Sequence, residues 1–214
     1  EPDLIVTKWW PRTQSYSGGD QMSPEGQFSG VAPIIGIEQG DSVLGLIEAY
    51  GKLAEALGAD LDAPEIVSQR EAFEQARTEL TAAAREKPGL KVMAAYASDE
   101  SLMVAAPAGA AELQDFTNWG LDVIVPDAPE GEYWGILSWE NADTYPVDVL
   151  LLDDRSGDDV RIAVENQPLA EIIDAVRAGQ VGDWPAWWIR TYGSYAAELE
   201  ELTALIKRSE VVTQ

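Results

Sequence analysis

The 214-residue chain contains no cysteine and no histidine. Without cysteine there are no disulfides, thiolate metal sites or sulfur nucleophiles. Without histidine the usual general base, the Ser-His-Asp arrangement and the commonest zinc ligand are gone. A metal held by the protein would need carboxylates, tyrosine oxygens or carbonyls, and no cofactor is expected. Basic residues are scarce: 14 Lys+Arg stand against 38 Asp+Glu, a net charge of −24. Such a surface repels nucleic-acid phosphates and anionic membranes. No run of ~20 apolar residues occurs, so no segment is expected to span a membrane. No signal peptide is visible, and the chain opens almost directly on an apolar run, which reads as a mature or trimmed product.

Familiar catalytic motifs are missing too. Gly40-Asp41-Ser42-Val43-Leu44-Gly45 has the wrong spacing for a nucleophile elbow. It reads instead as a helix N-cap. No phosphate-cradling glycine loop is found. Asp153, Asp154, Asp158 and Asp159 lack the spacing of a calcium loop and read as a solvated turn. Glu198, Glu200 and Glu201 read as a wet helix face.

What is present is an alternation of strands and helices. Residues 4–7 and 32–37 read as buried strands around a polar loop. A helix is expected from Asp41 or Ser42 to about residue 57, and a longer one from Asp62 or Pro64 to about residue 87. On the longer one Ile66, Phe73 and Leu80 repeat every seven residues with Ala76 and Ala83 between them, an apolar stripe on an otherwise wet helix. Beyond Pro88-Gly89 come strands at 90–96, 102–106, 121–125 and 147–152. Helices are expected at 110–119, 139–144, 168–178 and 192–208, with a short strand or turn at 180–182. The pattern predicts an α/β protein of two lobes, each a parallel or mixed sheet flanked by helices, joined by one long backbone helix. The expected division is 1–62, 63–88 for the connecting helix, and 89–214.

Eight tryptophans are the second positive signal. Trp119 and Trp139 fit a core. Trp9 and Trp10 follow directly on a strand, and ligands of open α/β sheets bind outside the carboxyl ends of strands. Tyr96 and Arg155 follow other strands, Tyr133-Trp134 lies in a loop after a third, and Trp184, Trp187 and Trp188 cluster near the end. Aromatics with a few arginines suit a large, partly apolar ligand rich in oxygens. The candidate contacts are Trp9, Trp10, Arg12, Tyr96, Tyr133, Trp134 and Arg155. The bland alternative is aromatics folded over the sheet edges as a minor core. Two rival classes are an enzyme working with carboxylates alone and a surface adhesion or scaffold protein.

Several segments resemble the helical-backbone periplasmic binding proteins, which serve ABC importers of ferric siderophores, haem and vitamin B12. Glu1-Pro2-Asp3-Leu4-Ile5-Val6 resembles the family's "LxPDLI" strand, and Val31-Ala32-Pro33-Ile34-Ile35-Gly36-Ile37 the next one. The stretch from Ala49 to Gly58 is similar to the "lgklLG" helix. Ser138-Trp139-Glu140-Asn141 through Tyr145-Pro146-Val147-Asp148 is similar to "vSwE…yPDvil". Ala175-Val176-Arg177-Ala178-Gly179-Gln180-Val181 is similar to "aVkaGrV". The resemblance implies binding without catalysis, in an aromatic cleft between lobes, of an iron–siderophore complex, with vitamin B12 or haem as the alternative ligand. The paucity of Lys and Arg favours a hydroxamate over a triscatecholate. It further implies an ABC permease as partner, with Glu140 matching the family's docking glutamate of the C-terminal lobe. An extracytoplasmic location, membrane-anchored lipoprotein form and a monomer are expected. The family's N-terminal lobe begins before its "PDLI" strand, so the N-terminal lobe is expected to be incomplete in this chain.

Overall fold

A computed structural model describes residues 2–11, 13–23, 26–129, 132–185 and 189–213. The chain divides into two compact units, 1–63 and 64–214.

The first unit holds a three-stranded sheet of order β2-β1-β3, formed by β1 (Ile5–Trp10), β2 (Ser15–Tyr16) and β3 (Ile34–Glu38). β1 and β3 are parallel, with Thr7 opposite Gly36. β1 and β2 form an antiparallel hairpin with Trp9 opposite Tyr16 and Trp10 opposite Ser15. Two short 3-10 turns, Gly19–Met22 and Gln27–Gly30, carry the chain between β2 and β3. Helix α1 (Val43–Ala56) begins where the Ser42 hydroxyl accepts from the Gly45 amide at 3.3 Å, the cap the sequence suggests. It buries Val43, Leu46 and Ile47.

The second unit opens with α2 (Pro64–Glu86), whose buried residues are Phe73, Ala76, Leu80, Ala83 and Ala84. The stripe read from the sequence is thus the packed face, apart from Ile66, which stays half-buried. It lies along α6 (Tyr192–Arg208), which buries Tyr195, Leu199, Leu202 and Ile206. The six-stranded sheet comprises β4 (Lys91–Ala97), β5 (Ser101–Ala105), β6 (Asp122–Val123), β7 (Trp134–Ser138), β8 (Val149–Asp153) and β9 (Val181–Trp184). Its order is β7-β5-β4-β8-β9, with β6 paired to the start of β4. β4, β8 and β9 run parallel, while β5 is antiparallel to β4 and β7. β8 is buried along its whole length, as a central parallel strand covered on both faces must be. The remaining helices are α3 (Ala111–Asn118), α4 (Asp159–Asn166) and α5 (Asp174–Arg177), with 3-10 turns at Pro107–Gly109, Trp139–Asn141 and Pro168–Ile172.

Alternation divides β8 between two cores. Leu150 and Leu152 pack with Val160, Ala163, Ala170 and Ile173 beneath α4 and α5. Leu151 faces the groove beside α6.

Several expectations are corrected. Trp9 and Trp10 lie inside β1 rather than beyond it, because the two-residue strand β2 extends the pairing. Trp134 opens a strand instead of sitting in a loop, held by its pairing to Ala105. Residues 159–166 form a helix that the acidic run concealed, with Val160, Ala163 and Val164 buried. The single helix expected at 168–178 is a 3-10 turn and one α turn, separated at the extended Ile173. Asp153 is completely buried, so it belongs to no solvated turn. Among the described residues no helix is long and apolar enough to cross a membrane.

Candidate functional site

One face of the second unit's sheet gathers aromatic side chains from three strands. Paired residues share a face. Tyr96 pairs with Met103 and Met103 with Ile136, so Trp134, two residues before Ile136, lies on the face of Tyr96. Ala95 pairs with Leu152, which puts Asp153 on the Tyr96 face, and Asp153 pairs with Trp184.

The rings meet above this face. Trp134 and Trp184 are 6.4 Å apart edge to face, and Tyr133 packs edge-on to Trp134 at 4.6 Å. Such geometries match ring edges to ring faces. Gly109 makes room for Tyr133: a Cβ there would stand 2.5 Å from the tyrosine ring. The Arg155 guanidinium lies 5.4 Å from the Trp134 centroid, a cation–π contact. Tyr96 shares a 3.0 Å hydrogen bond with the Ser156 hydroxyl.

Asp153 organises this group from below. One oxygen accepts from the Arg155 amide at 2.9 Å, and the other lies 2.5 Å from the guanidinium. The Asp153 hydrogen bond outweighs burial and holds the Arg155 guanidinium even more firmly charged than usual, with Tyr133 adding to it. Burial pushes the Tyr133 phenol well above its ordinary range; Arg155 opposes this, and Glu112 and Asp153 add to it. Tyr133 therefore remains a neutral phenol across the physiological range.

Trp184 also borders a groove of about 470 Å³ with an apolar floor of Phe116, Leu151, Tyr195 and Leu202. Its rim is acidic. Glu112 is paired with Arg190 at 2.6 Å, and the Tyr195 hydroxyl donates to Asp115 at 2.9 Å. Burial, and then Asp115, raise the Tyr195 phenol well above its usual value. Glu198 is half-buried rather than wet; desolvation, with Glu201, Asp154 and Asp183 nearby, lifts its carboxyl to about 7.

Four expected contacts, Tyr96, Tyr133, Trp134 and Arg155, are thus brought to one face of the second unit. Trp9 and Trp10 belong to the first unit. There Trp9 packs on Tyr16 at 4.7 Å, across a Gly36 whose Cβ would stand 2.7 Å from the tyrosine ring. Trp10 is exposed and donates to the Ser17 hydroxyl at 2.8 Å. Arg12, Trp187 and Trp188 lie outside the described residues. Trp119 is half-buried against Phe73, Phe116 and Tyr195, and Trp139 is buried, donating to the Ser98 carbonyl at 2.9 Å. Asp153 was missed as a site residue because an acidic pair before a glycine reads as a turn. Its position as the last residue of the strongest apolar strand was the available signal.

Glu140 sits exposed in the 3-10 turn after β7. Its own backbone amide and then the Ser138 hydroxyl hold its carboxyl below the usual range. It is a permanent surface negative charge.

A sequence profile of the periplasmic binding protein family matches residues 2–187. The chain belongs to this family. Among solved structures it is similar to DesE, a ferric-siderophore receptor protein from Streptomyces coelicolor, with 28% identity and a TM-score of 0.85 over 99% of this chain and 72% of that one. It also shares its fold with the petrobactin-binding protein YclQ from Bacillus subtilis, at 18% identity and a TM-score of 0.64 over 97% of this chain and 71% of that one. The Fe3+-Desferal-bound protein FhuD from Vibrio cholerae matches at 16% identity and a TM-score of 0.64, over 100% and 76% of the two chains. No curated protein sequence matches the chain. The helical-backbone, siderophore-type resemblance read from the sequence is borne out, and the relatives named are binding proteins rather than enzymes.

Proposed function

We propose that the chain is the extracytoplasmic solute-binding component of an ABC importer and carries a ferric siderophore. The observation that carries this reading is the joining of Tyr133, Trp134, Trp184 and Arg155 on one sheet face. The similarity to a ferric-siderophore receptor supports it. Rings cover the apolar arms of such a complex, and an arginine meets its carbonyl or iron-ligating oxygens. Trp9 and Trp10 are candidate contacts on the first unit. No step of this role makes or breaks a bond.

The ligand favoured is a hydroxamate complex, neutral or cationic. Arg155 is the cation set against the rings, and it is already paired with Asp153. A triscatecholate carries three negative charges and, among the described residues, meets no surplus of positive charge there. Glu140, exposed and firmly ionised, supplies the charge that would dock on an arginine of the permease.

Titration with ferrioxamine-type complexes, followed by tryptophan fluorescence, tests the reading. Saturable quenching is expected. Quenching by cobalamin with none by any ferric siderophore would replace it with the vitamin B12 alternative.

A further inference from the structure

Arg155 brings its charge to the rings in a fixed pose, and the agent of that pose is a buried carboxylate. Asp153 is fully shielded from solvent. It holds Arg155 twice, by the backbone amide at 2.9 Å and by the guanidinium at 2.5 Å. The Arg155 side chain is 41% exposed, whereas the Asp153 side chain is fully buried. The ligand-facing side of the pair is therefore the arginine, and its charge is cancelled from behind. A carboxylate buried in this way needs a partner, since an unpaired charge in low dielectric is costly. Asp154, the next residue, adds a further negative charge close by.

We propose that Asp153 determines ligand charge selectivity: it positions Arg155 on the Trp134 ring and cancels its charge. The patch then accepts neutral or cationic ferric complexes and disfavours strongly anionic ones. This rests on the ferric-siderophore reading above. Arg155 serves here as an oriented hydrogen-bond donor, not as an anion trap. The selectivity is built by a repulsive element as well as by the attractive one.

The test is Asp153→Asn, which keeps an oxygen for the Arg155 amide and removes the negative charge. Affinities for a ferric trishydroxamate and a ferric triscatecholate are measured by fluorescence titration at low salt. The triscatecholate is expected to gain about tenfold, and the trishydroxamate to change by less than about threefold. A parallel loss of both, or an unchanged ratio, would reduce Asp153 to a structural residue and overturn the proposal. Asp154→Asn removes the same formal charge without touching the clamp and is expected to shift the ratio by less than about threefold. An equal gain there would also overturn it. Arg155→Gln, which does not depend on Asp153→Asn folding, should widen the ratio in favour of the hydroxamate, and a narrowed ratio counts against the proposal. If the unaltered protein binds neither complex, the ligand reading itself fails, a different result from an unchanged ratio in a protein that binds.

Discussion

Two buried aspartates stand at the two ends of β8, and they are partnered differently. Asp148, just before the strand, receives the Lys91 amide at 2.8 Å on one oxygen and the Val212 and Thr213 amides at 2.7 and 2.9 Å on the other. Gln180 fastens the same tail by exchanging bonds with Glu210, at 2.7 and 2.9 Å. Asp153, at the far end, is answered by one residue, Arg155, through its backbone amide and a guanidinium that also leans on an indole. Backbone amides are fixed, so Asp148 is a rivet between a sheet and the chain's last residues. The Arg155 guanidinium is a side chain that reaches the Trp134 ring, so Asp153 belongs to the proposed ligand surface. The burial is equal and the partners differ.

The largest effect that would sharpen this contrast is on stability. Asp148→Ala strands three amides at once, and unfolding by urea should show a loss of about 3 kcal/mol, with a melting point lower by about 8 °C. Ligand affinity should not change. Burial alone would raise the Asp148 carboxyl, but the amides outweigh it and hold it below the usual range. Its contribution is therefore present above the unfolded pKa near 4 and lost as pH falls through the lower folded value. Asp148→Asn should flatten that acid limb. If Asp148→Ala instead impaired binding while leaving stability intact, the contrast would collapse.

Next in size is a change at the recognition end. Trp134→Ala removes the ring that links Tyr133, Trp184 and Arg155. Affinity for the ferric complex should fall roughly thirtyfold, about 2 kcal/mol. Fluorescence titration reads this, and an unchanged dissociation constant would place the ligand elsewhere.

The smallest effect concerns a carboxylate whose nearby charges, among the described residues, are those of other acids. Glu198 is surrounded by acids, and its carboxyl is raised to about 7 against an unfolded value near 4.3. Its ionised form therefore weakens the fold: stability is full below about pH 4.3 and declines as pH rises through about 7. Glu198→Gln should be more stable than the natural chain by about 1 kcal/mol at pH 8, after allowance for solvent screening. The two should coincide at pH 4. Equal melting curves at both pH values would mean that Glu198 finds a cation in solution.

The long elements were legible because they repeat. The seven-residue spacing of Phe73 and Leu80 marks the buried face of α2, and Ser42 and Gly58 bracket α1. The elements that escaped are short or disguised. β2 has two residues and exists only through its pairing with Trp9 and Trp10. α4 hides its apolar side, Val160, Ala163 and Val164, behind an acidic start. At the site, the aromatics and Arg155 stood out by residue type and by their nearness to strand ends. Asp153 did not, because its burial depends on neighbours that lie far away in sequence.

Composition and local spacing alone determined that this chain has no thiol or imidazole chemistry and an acidic surface. They also determined its α/β alternation. These follow from residue identity and from periods of two and 3.6, which need no knowledge of partners. Only the tertiary structure decided that Tyr133, Trp134, Arg155 and Trp184 share a face, and that one aspartate binds a tail while the other binds an arginine. The register of β4, β5, β7, β8 and β9 is set by cross-strand pairing between distant segments. A shift of one residue would send each of these side chains to the opposite face.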